Sequence, residues 1–297
     1  MFYYNLYGQI IKSDIEFMQL VQTDNTDAAI TIIHGEIPDE IKEAQSKYEV
    51  GPSLSWLSNK TCYLLVKNGN EIIYALKPDA RESYMKSFIL GYGMAMLFQQ
   101  RGELAIHCSA ISYEDKAILI AGRSGSGKST LTSELLEKGF SLMADDMAIV
   151  KPESDFAIAF PAFPYQKLCR DAALANGEDL SKLIYIDENK DKFLVPFKGN
   201  FDLSGKPIAA LFILAGEVNI PEVQLDEIKG FYKIPALANN LFMTKLLNDD
   251  KFKGECGQYC VDIAAKIPIY IIARPPKQNS VEEISRLVLE KLSIKIN

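Results

Sequence analysis

The sequence predicts an α/β protein with a small β-rich module at its amino-terminal end. An apolar run, Lys116–Ala121, leads into a glycine-rich turn and then into a helical pattern, which is the order strand, loop, helix. Before residue 80, short runs of β-type composition alternate with turn signals, as they do in strands joined by hairpins. We therefore expect a β-rich module over residues 1–80 and an α/β domain over residues 81–297.

The amino-terminal module contains four runs with the composition of strands. The turn signal Lys67–Asn70 between the last two predicts a hairpin. No cluster of chemically reactive side chains stands out here, which favours a module that packs on the main domain or helps to bind a substrate. The four runs are Phe2–Tyr7, Ala29–Ile33, Thr61–Val66 and Glu71–Leu76.

A helix and a strand are predicted ahead of the glycine-rich turn. Apolar residues recur at helical spacing over Glu82–Arg101, and Gly102 is a natural stop. The run Glu103–Ser112 then has strand-like composition and carries His107. Two interpretations of His107 stay open: a buried histidine with satisfied hydrogen bonds, or a side chain that a neighbouring strand brings close to the glycine-rich turn.

The glycine-rich turn matches the pattern G-x-x-x-x-G-K-[ST] at every fixed position. Glycines let the backbone curl so that its N–H groups form a nest for an anion, and the following helix adds the partial positive charge of its amino terminus. Lys128 can reach the β- and γ-phosphates of a nucleotide, and the Ser129 hydroxyl can ligate Mg²⁺. The predicted binding residues are Gly122, Arg123, Ser124, Gly125, Ser126, Gly127, Lys128, Ser129 and Thr130.

Two adjacent carboxylates, Asp145 and Asp146, interrupt the next apolar run, Phe140–Val150. Charged groups inside such a run are costly unless something compensates them. One helix and one return strand fit between Ser129 and this pair, which would bring the acids back beside the bound phosphates. One acid holding a metal ion and the other accepting a proton would explain the pair; the alternative is an exposed acidic turn.

The carboxyl-terminal half completes the α/β pattern. Phe160–Tyr165 holds too many prolines for a central strand. Buried strands are predicted over Pro207–Ala215 and Ile267–Ala273, and an amphipathic helix over Val281–Leu292, with Ser280 as its N-cap.

Composition excludes several classes of partner. The chain has 297 residues with a formal net charge of −7 and no basic cluster, which argues against nucleic acid or an anionic membrane. No run approaches the ~18 apolar residues of a membrane span, and the start lacks the pattern of a signal peptide. The five cysteines are scattered and odd in number, as in reduced proteins. A cytoplasmic location is expected.

Three features favour phosphoryl transfer to a hydroxyl over nucleotide hydrolysis. The acidic pair is doubled, and a kinase gains from a base in addition to a metal ligand. His107 is available nearby, and no guanine-reading N-K-x-D pattern is evident. The expected cofactors are ATP and Mg²⁺. A kinase for a small metabolite, and a nucleotide-binding sensor without transfer activity, stay open as alternatives.

Three blocks carry a resemblance to a known family. Ile106–Ala110, Gly122–Thr130 and Ala144–Asp146 resemble, in order and spacing, the HPr kinase/phosphorylase family, which is related in fold to phosphoenolpyruvate carboxykinase. The glycine-rich signature that HPr kinases carry after the acidic pair is replaced here by residues 160–177. The chain is therefore more similar to HPr-kinase-like enzymes found beside peptide-modification genes, including lasso-peptide kinases.

The resemblance implies a P-loop core of the phosphoenolpyruvate carboxykinase/HPr kinase type and a role for each site residue. Asp145 would be the catalytic base that accepts the proton of a serine hydroxyl, and Asp146 would hold Mg²⁺ together with Ser129. His107 would lie near the base and the transferred phosphate, and Lys128 would neutralise charge on the phosphates. The implied acceptor is a peptide, a protein or a small molecule, and homo-oligomers are common in the family.

Overall fold

The computed structural model describes residues 1–187, 191–217, 219–244, 253–276 and 279–294. It is a mixed α/β structure with several sheets. The chain divides into two compact units. Unit 1 comprises Met1–Ala105, Phe163–Lys198 and Phe242–Cys256, and unit 2 comprises Ile106–Ala162, Gly199–Leu241 and Gly257–Asn297.

Residues 1–105 open unit 1 with strands and helices. Eight of the strands lie within residues 1–80, the range over which a β-rich module is predicted. The strands are β1 (Phe2–Leu6), β2 (Gln9–Ser13), β3 (Val21–Gln22), β4 (Ile30–His34), β5 (Tyr48–Glu49), β6 (Leu54–Ser58), β7 (Cys62–Lys67) and β8 (Glu71–Leu76). The helices are α1 (Asp39–Lys42), α2 (Glu82–Phe88) and α3 (Met94–Gln100).

These strands form one sheet in the order β3-β1-β2-β4-β8-β7-β6-β5. The predicted hairpin joins β7 to β8, with Asn68 and Gly69 at φ 50° and 64°. Arg101 links the hairpin to other parts of the unit. Its Nε donates to the Gly69 carbonyl, its Nη1 to Gln9 Oε1 at 3.1 Å and its Nη2 to the Ala29 carbonyl at 3.2 Å.

The helix predicted over Glu82–Arg101 is helical throughout, but it is not one regular α-helix. A π-helical turn, Ile89–Gly93, joins α2 to α3. At this turn the backbone comes close to a neighbouring side chain, because a Cβ on Gly91 would lie 3.3 Å from the Phe242 ring. A π-helical turn contains one residue more than an α-helical turn. The spacing of apolar residues predicts the helix but does not reveal this additional residue.

The strand predicted over Glu103–Ser112 is two strands, β9 (Leu104–Ile106) and β10 (Cys108–Tyr113), and His107 lies between them. The His107 backbone N–H donates to the Asn240 carbonyl at 2.7 Å. That partner is remote in the sequence, which explains why local composition predicts one unbroken strand.

The second stretch of the chain contains the strands and the helix around the glycine-rich turn. They are β11 (Lys116–Gly122), α4 (Lys128–Glu137), β12 (Ser141–Ala144), β13 (Ala148–Pro152) and β14 (Ala157–Phe160). The next elements belong to unit 1. They are β15 (Tyr165–Cys169), α5 (Arg170–Ala175), β16 (Ile184–Asp187) and β17 (Lys192–Pro196). The three strands form a sheet in the order β15-β17-β16.

The last stretch contributes further strands and helices. They are β18 (Lys206–Glu217), β19 (Gln224–Ile228), α6 (Lys233–Ala238), α7 (Lys253–Lys266), β20 (Ile269–Arg274) and α8 (Val281–Lys291). These bounds confirm the strands predicted over Pro207–Ala215 and Ile267–Ala273 and the terminal helix. Ser280 is the N-cap residue of α8, but its hydroxyl makes no capping bond; the Val281 N–H is 3.4 Å from Asn279 Oδ1 instead.

The sheet of unit 2 places the candidate site. Its strands follow the order β12-β10-β11-β18-β14-β13, with β20 also paired to β18 and β19 to β20. The pairs β11–β18 and β18–β20 are parallel, whereas β10 is antiparallel to both β11 and β12. Strand β11 is buried after its first residue, as expected of a strand covered on both faces.

The two units differ from the boundary that the sequence predicts after residue 80. Residues 81–105 belong to unit 1, and so do two segments from the second half of the chain. The predicted boundary follows a change in composition along the sequence, whereas a compact unit depends on contacts between remote segments.

Candidate active site

The loop between β11 and α4 has the backbone that its glycines permit. Gly122, Gly125 and Gly127 adopt φ values of 136°, 82° and 105°, which are accessible mainly to glycine. Helix α4 begins directly after Gly127, so its first N–H groups and the positive end of its dipole face the loop. We call residues Gly122–Ser129 the glycine loop.

Two kinds of glycine occur in this loop. A Cβ at position 122 would lie 2.5 Å from the Leu214 carbonyl oxygen and 2.8 Å from Ser126 Oγ, so Gly122 is required by close packing. No described atom lies within 4 Å of a Cβ built at Gly125 or Gly127. These two positions therefore border open space, which leaves room for a bound group at the loop.

Lys128 folds back over the glycine loop. Its Nζ donates to the Gly122 carbonyl at 2.7 Å and lies 3.4 Å from the Arg123 carbonyl. The ammonium is therefore held at the end of β11. The other polar side chains of the loop differ in exposure: Ser129 is exposed, whereas Ser126 is buried and its hydroxyl has no hydrogen-bond partner within the described residues.

The sheet brings the acidic pair to the same edge as the glycine loop. Because β10 is antiparallel to both β11 and β12, β11 and β12 run in the same direction and their carboxyl ends meet at one edge. Asp145 and Asp146 follow the end of β12, and the amino end of β10, with His107 just before it, returns to this edge.

The two carboxylates of the turn Asp145–Met147 have different neighbours: Ser109 lies beside Asp145, and His107 lies beside Asp146. Asp146 has a positive φ of 73°, a conformation that aspartate tolerates better than most residues. The buried Ser109 hydroxyl donates to Asp145 Oδ1 at 3.4 Å. His107 Nδ1 lies 3.6 Å from Asp146 Oδ1, which is too long for a hydrogen bond and becomes an ion pair only when the imidazole is protonated.

The Cys108 thiol is buried and interacts electrostatically with three charged side chains of the candidate site. Burial raises its pKa to about 12, while Lys128 acts to lower it and the two acids, Asp145 and Asp146, act to raise it. One buried atom thus interacts electrostatically with the loop lysine and with both carboxylates. The thiol itself is protonated at neutral pH, so it is not a reactive nucleophile.

The two acids lie between β12 and β13, as the alternative of an acidic turn requires, but they are not exposed. Both are partly buried, and the Asp146 side chain keeps 20% of its exposure. The predicted residues Lys128, Asp145, Asp146 and His107 lie at one edge of one sheet. Arg123, Ser124, Ser129 and Thr130 are on the exposed side of the loop and the first turn of α4.

Ser109 is a site residue that the sequence analysis did not single out. It lies on β10 opposite Ile120 of β11 and is only 2% exposed. Its position two residues after His107 is the available signal, because alternate residues of a strand share a face. This spacing alone does not indicate that Ser109 lies beside Asp145, because that contact depends on the register of β10 against β12.

The residues at this edge fit a nucleoside triphosphate and Mg²⁺. Open glycine backbone, a helix amino terminus and a lysine suit phosphate, while hydroxyl and carboxylate oxygens suit Mg²⁺. Within the described ranges, no group of three or more His, Cys, Asp or Glu side chains could hold a metal ion by itself. Mg²⁺ in nucleotide sites typically binds through one or two protein carboxylates together with phosphate oxygens.

Comparisons with known proteins add little. No protein-family model matches the chain, and no curated protein does. Among solved structures, the HPr(Ser) kinase/phosphatase of Coxiella burnetii aligns with a TM-score of 0.31 and 15% identity, covering 63% of this chain and 89% of that chain. Similarity at this level carries no conclusion about fold or function.

Among the described residues, no helix is both long and apolar enough to cross a membrane.

Proposed function

We propose that this protein is a kinase that transfers the γ-phosphoryl group of ATP to a hydroxyl. The observation that carries the proposal is the meeting of Lys128 and the Asp145–Asp146 pair at one edge of the unit 2 sheet. Lys128 Nζ donates to the Gly122 carbonyl at the end of β11, and the two acids follow the end of β12, on the other side of β10. A lysine and a glycine loop suit phosphates, and the doubled acid supplies one group beyond what a metal site alone requires.

Each side chain takes a role that its chemistry allows. The glycine loop and the amino terminus of α4 hold the phosphates, and Lys128 neutralises charge on them during transfer. Ser129 and Asp146 would hold Mg²⁺, which screens the charge of the phosphates when bound. Asp145 accepts the proton of the acceptor hydroxyl. The hydroxyl oxygen attacks the γ-phosphorus, and ADP leaves. His107 lies beside Asp146 and would form an ion pair with it when the imidazole is protonated.

The acceptor in this proposal is a serine of a peptide or protein. This part rests on the resemblance of residues 106–110, 122–130 and 144–146 to HPr-kinase-like enzymes. The cytoplasm, with its abundant ATP and Mg²⁺ and its reduced thiols, is the compartment in which this chemistry would operate.

The proposal is tested with γ-labelled ATP, Mg²⁺ and panels of peptides, proteins and small alcohols. We expect labelled acceptor with the unchanged protein and a loss of about 10²-fold or more in Asp145→Asn, with ATP affinity changed little. Asp155→Asn is the matched control, because Asp155 is an exposed acid of the same unit. Transfer that survives Asp145→Asn would disprove the assignment of the base.

The same panel separates the classes of acceptor. Label that appears only in small alcohols would replace the peptide substrate with a metabolite. ATP binding without label in any acceptor would instead support a nucleotide sensor.

A further inference from the structure

We infer that Ser109 is a positioning residue that holds Asp145 in place for proton transfer. The inference rests on the proposed function, because it takes Asp145 as the base. It adds a residue for which neither the loop pattern nor the acidic pair assigns a role.

Ser109 is built into the core of the unit 2 sheet. It is 2% exposed, and β-ladder pairing fixes it opposite Ile120. Ala110, the next residue of β10, pairs with Ala144 of β12, directly before Asp145. The register of β10 against β12 therefore sets the Ser109 hydroxyl beside the Asp145 carboxylate.

The direction of the hydrogen bond follows from the chemistry of its partners. An ionised carboxylate can only accept, so the Ser109 hydroxyl must donate to Asp145 Oδ1. The distance of 3.4 Å is long for an O–H···O bond, but contacts of catalytic groups often tighten only when substrate binds. A buried hydroxyl without a hydrogen-bond partner raises the free energy of the folded state. The bond to Asp145 therefore favours the present orientation of both side chains.

A donor on Oδ1 restricts rotation of the Asp145 carboxylate. A base must be held close to the productive geometry, because small misplacements reduce the rate strongly. Ser109 is on a central strand rather than on the turn itself, so it links the position of Asp145 to the rigid part of the sheet.

The same strand offers a matched control. Ser112 is also a buried serine of β10, and its hydroxyl donates to Asp202 Oδ2 at 2.9 Å. Ser112 and Ser109 therefore share strand, residue type, burial and partner type. They differ in position, because Ser109 lies at the edge with the glycine loop and Ser112 towards the opposite end of β10. Since they are three residues apart, they also lie on opposite faces of the sheet.

The test compares Ser109→Ala, Ser109→Thr and Ser112→Ala in the full-length protein. Expected is a fall in kcat of about tenfold for Ser109→Ala, with the KM for ATP unchanged, and recovery of most of the rate in Ser109→Thr. Ser112→Ala should lower the melting temperature and leave kcat unchanged. An equal effect of the two alanine variants on kcat would overturn the inference.

Crystal structures of the same variants give a readout that needs no acceptor. In Ser109→Ala we expect the Asp145 carboxylate in a new orientation or in more than one, while Ser112→Ala leaves it unchanged. A single, unaltered Asp145 conformation in Ser109→Ala would refute the positioning role. Retention of transfer by Asp145→Asn would instead refute the proposed base, so the two failures are distinguishable.

Discussion

The ammonium of Lys128 lies at the centre of the candidate site, 2.7 Å from the Gly122 carbonyl. A neutral side chain in its place would remove a charged donor to the phosphates, an interaction worth roughly 1.5–3 kcal/mol. We therefore expect Lys128→Met to weaken ATP binding about 10- to 100-fold, as measured by titration calorimetry.

Lys138 on the same helix provides the control for that measurement. It pairs with Glu134 at 2.8 Å on the last turns of α4, away from the loop. Lys138→Met should change ATP affinity by less than about twofold, because exposed pairs of this kind contribute little. Equal losses in the two methionine variants would show that Lys128 has no specific role in binding.

Gly122 is predicted to be more sensitive to substitution than any open glycine. An alanine there would place its Cβ 2.5 Å from the Leu214 carbonyl, whereas at Gly139, which also has a positive φ of 95°, no described atom lies within 4 Å. Gly139→Ala should cost roughly 1–2 kcal/mol through backbone strain alone. Gly122→Ala should cost more and also displace the loop.

Thermal unfolding and ATP titration of both alanine variants check this prediction. The expected pattern is a lower melting temperature for both and a loss of ATP binding for Gly122→Ala alone. A Gly122→Ala protein that binds ATP normally would show that the close approach to Leu214 does not shape the loop.

Sequence patterns indicate the glycine loop and the acidic pair but not Ser109. The glycine loop could be predicted because its pattern fixes residue types within eight consecutive positions, Gly122 to Ser129. The pairing of Ser109 with Asp145 depends on the register of β10 against β12. No local pattern encodes that register.

At the scale of strands and their connections, Asp202 joins the far end of β10 to the segment that leads into β18. It accepts hydrogen bonds from Ser112 Oγ at 2.9 Å and Ser204 Oγ at 2.7 Å, and it pairs with Lys206 Nζ at 3.1 Å. Burial tends to raise the pKa of Asp202, but the hydrogen bonds outweigh it, and the net pKa is lowered.

The stability that Asp202 contributes should depend on pH. Because its pKa in the folded state is below the unfolded value of about 3.9, the contribution is complete above that value and is lost as the pH falls through the lower folded-state value. We expect Asp202→Asn to destabilise the protein by about 1–3 kcal/mol at pH 7. The difference from the unchanged protein should shrink below about pH 4.

Denaturant unfolding at several pH values measures this difference, and Asp115→Asn is its control. Asp115 approaches the same Lys206 Nζ at 3.8 Å, but its side chain is fully exposed. Its loss should leave the stability almost unchanged at every pH, because exposed ion pairs contribute little. A pH-independent effect of Asp202→Asn would contradict the lowered pKa.

The elements themselves were largely predictable, and their interruptions were not. Composition and periodicity indicate β8, β11, β18 and α8 because each buries a regular apolar pattern. The break at His107 depends on the carbonyl of Asn240, and the π-helical turn lies beside Phe242. Both partners are remote in the sequence.

At the scale of the whole molecule, the candidate site belongs to one unit although the chain alternates between two. Residues 106–110, 122–130 and 144–146 all lie in unit 2. Composition predicts a boundary after residue 80, whereas the first change of unit comes after Ala105. The return of residues 163–198 to unit 1 depends on contacts that no linear pattern describes.

Hydrogen exchange with and without ATP and Mg²⁺ should show this localisation. Protection is expected in the glycine loop and in the turn Asp145–Met147, because both would contact the bound nucleotide and its metal. The sheet of β1 to β8 should change little. Lys128→Met should abolish the protection. Protection confined to the glycine loop would show that Asp145 and Asp146 do not contact the nucleotide or its metal.

The proposed kinase function depends most on the convergence of the acidic pair and the glycine loop on one nucleotide. A crystal structure with a non-hydrolysable ATP analogue and Mg²⁺ measures this directly. We predict phosphates within the glycine loop and beside Lys128, Mg²⁺ contacting Ser129 and Asp146, and Asp145 facing the γ-phosphate. Phosphates bound in the loop with both carboxylates more than one water molecule away would contradict it.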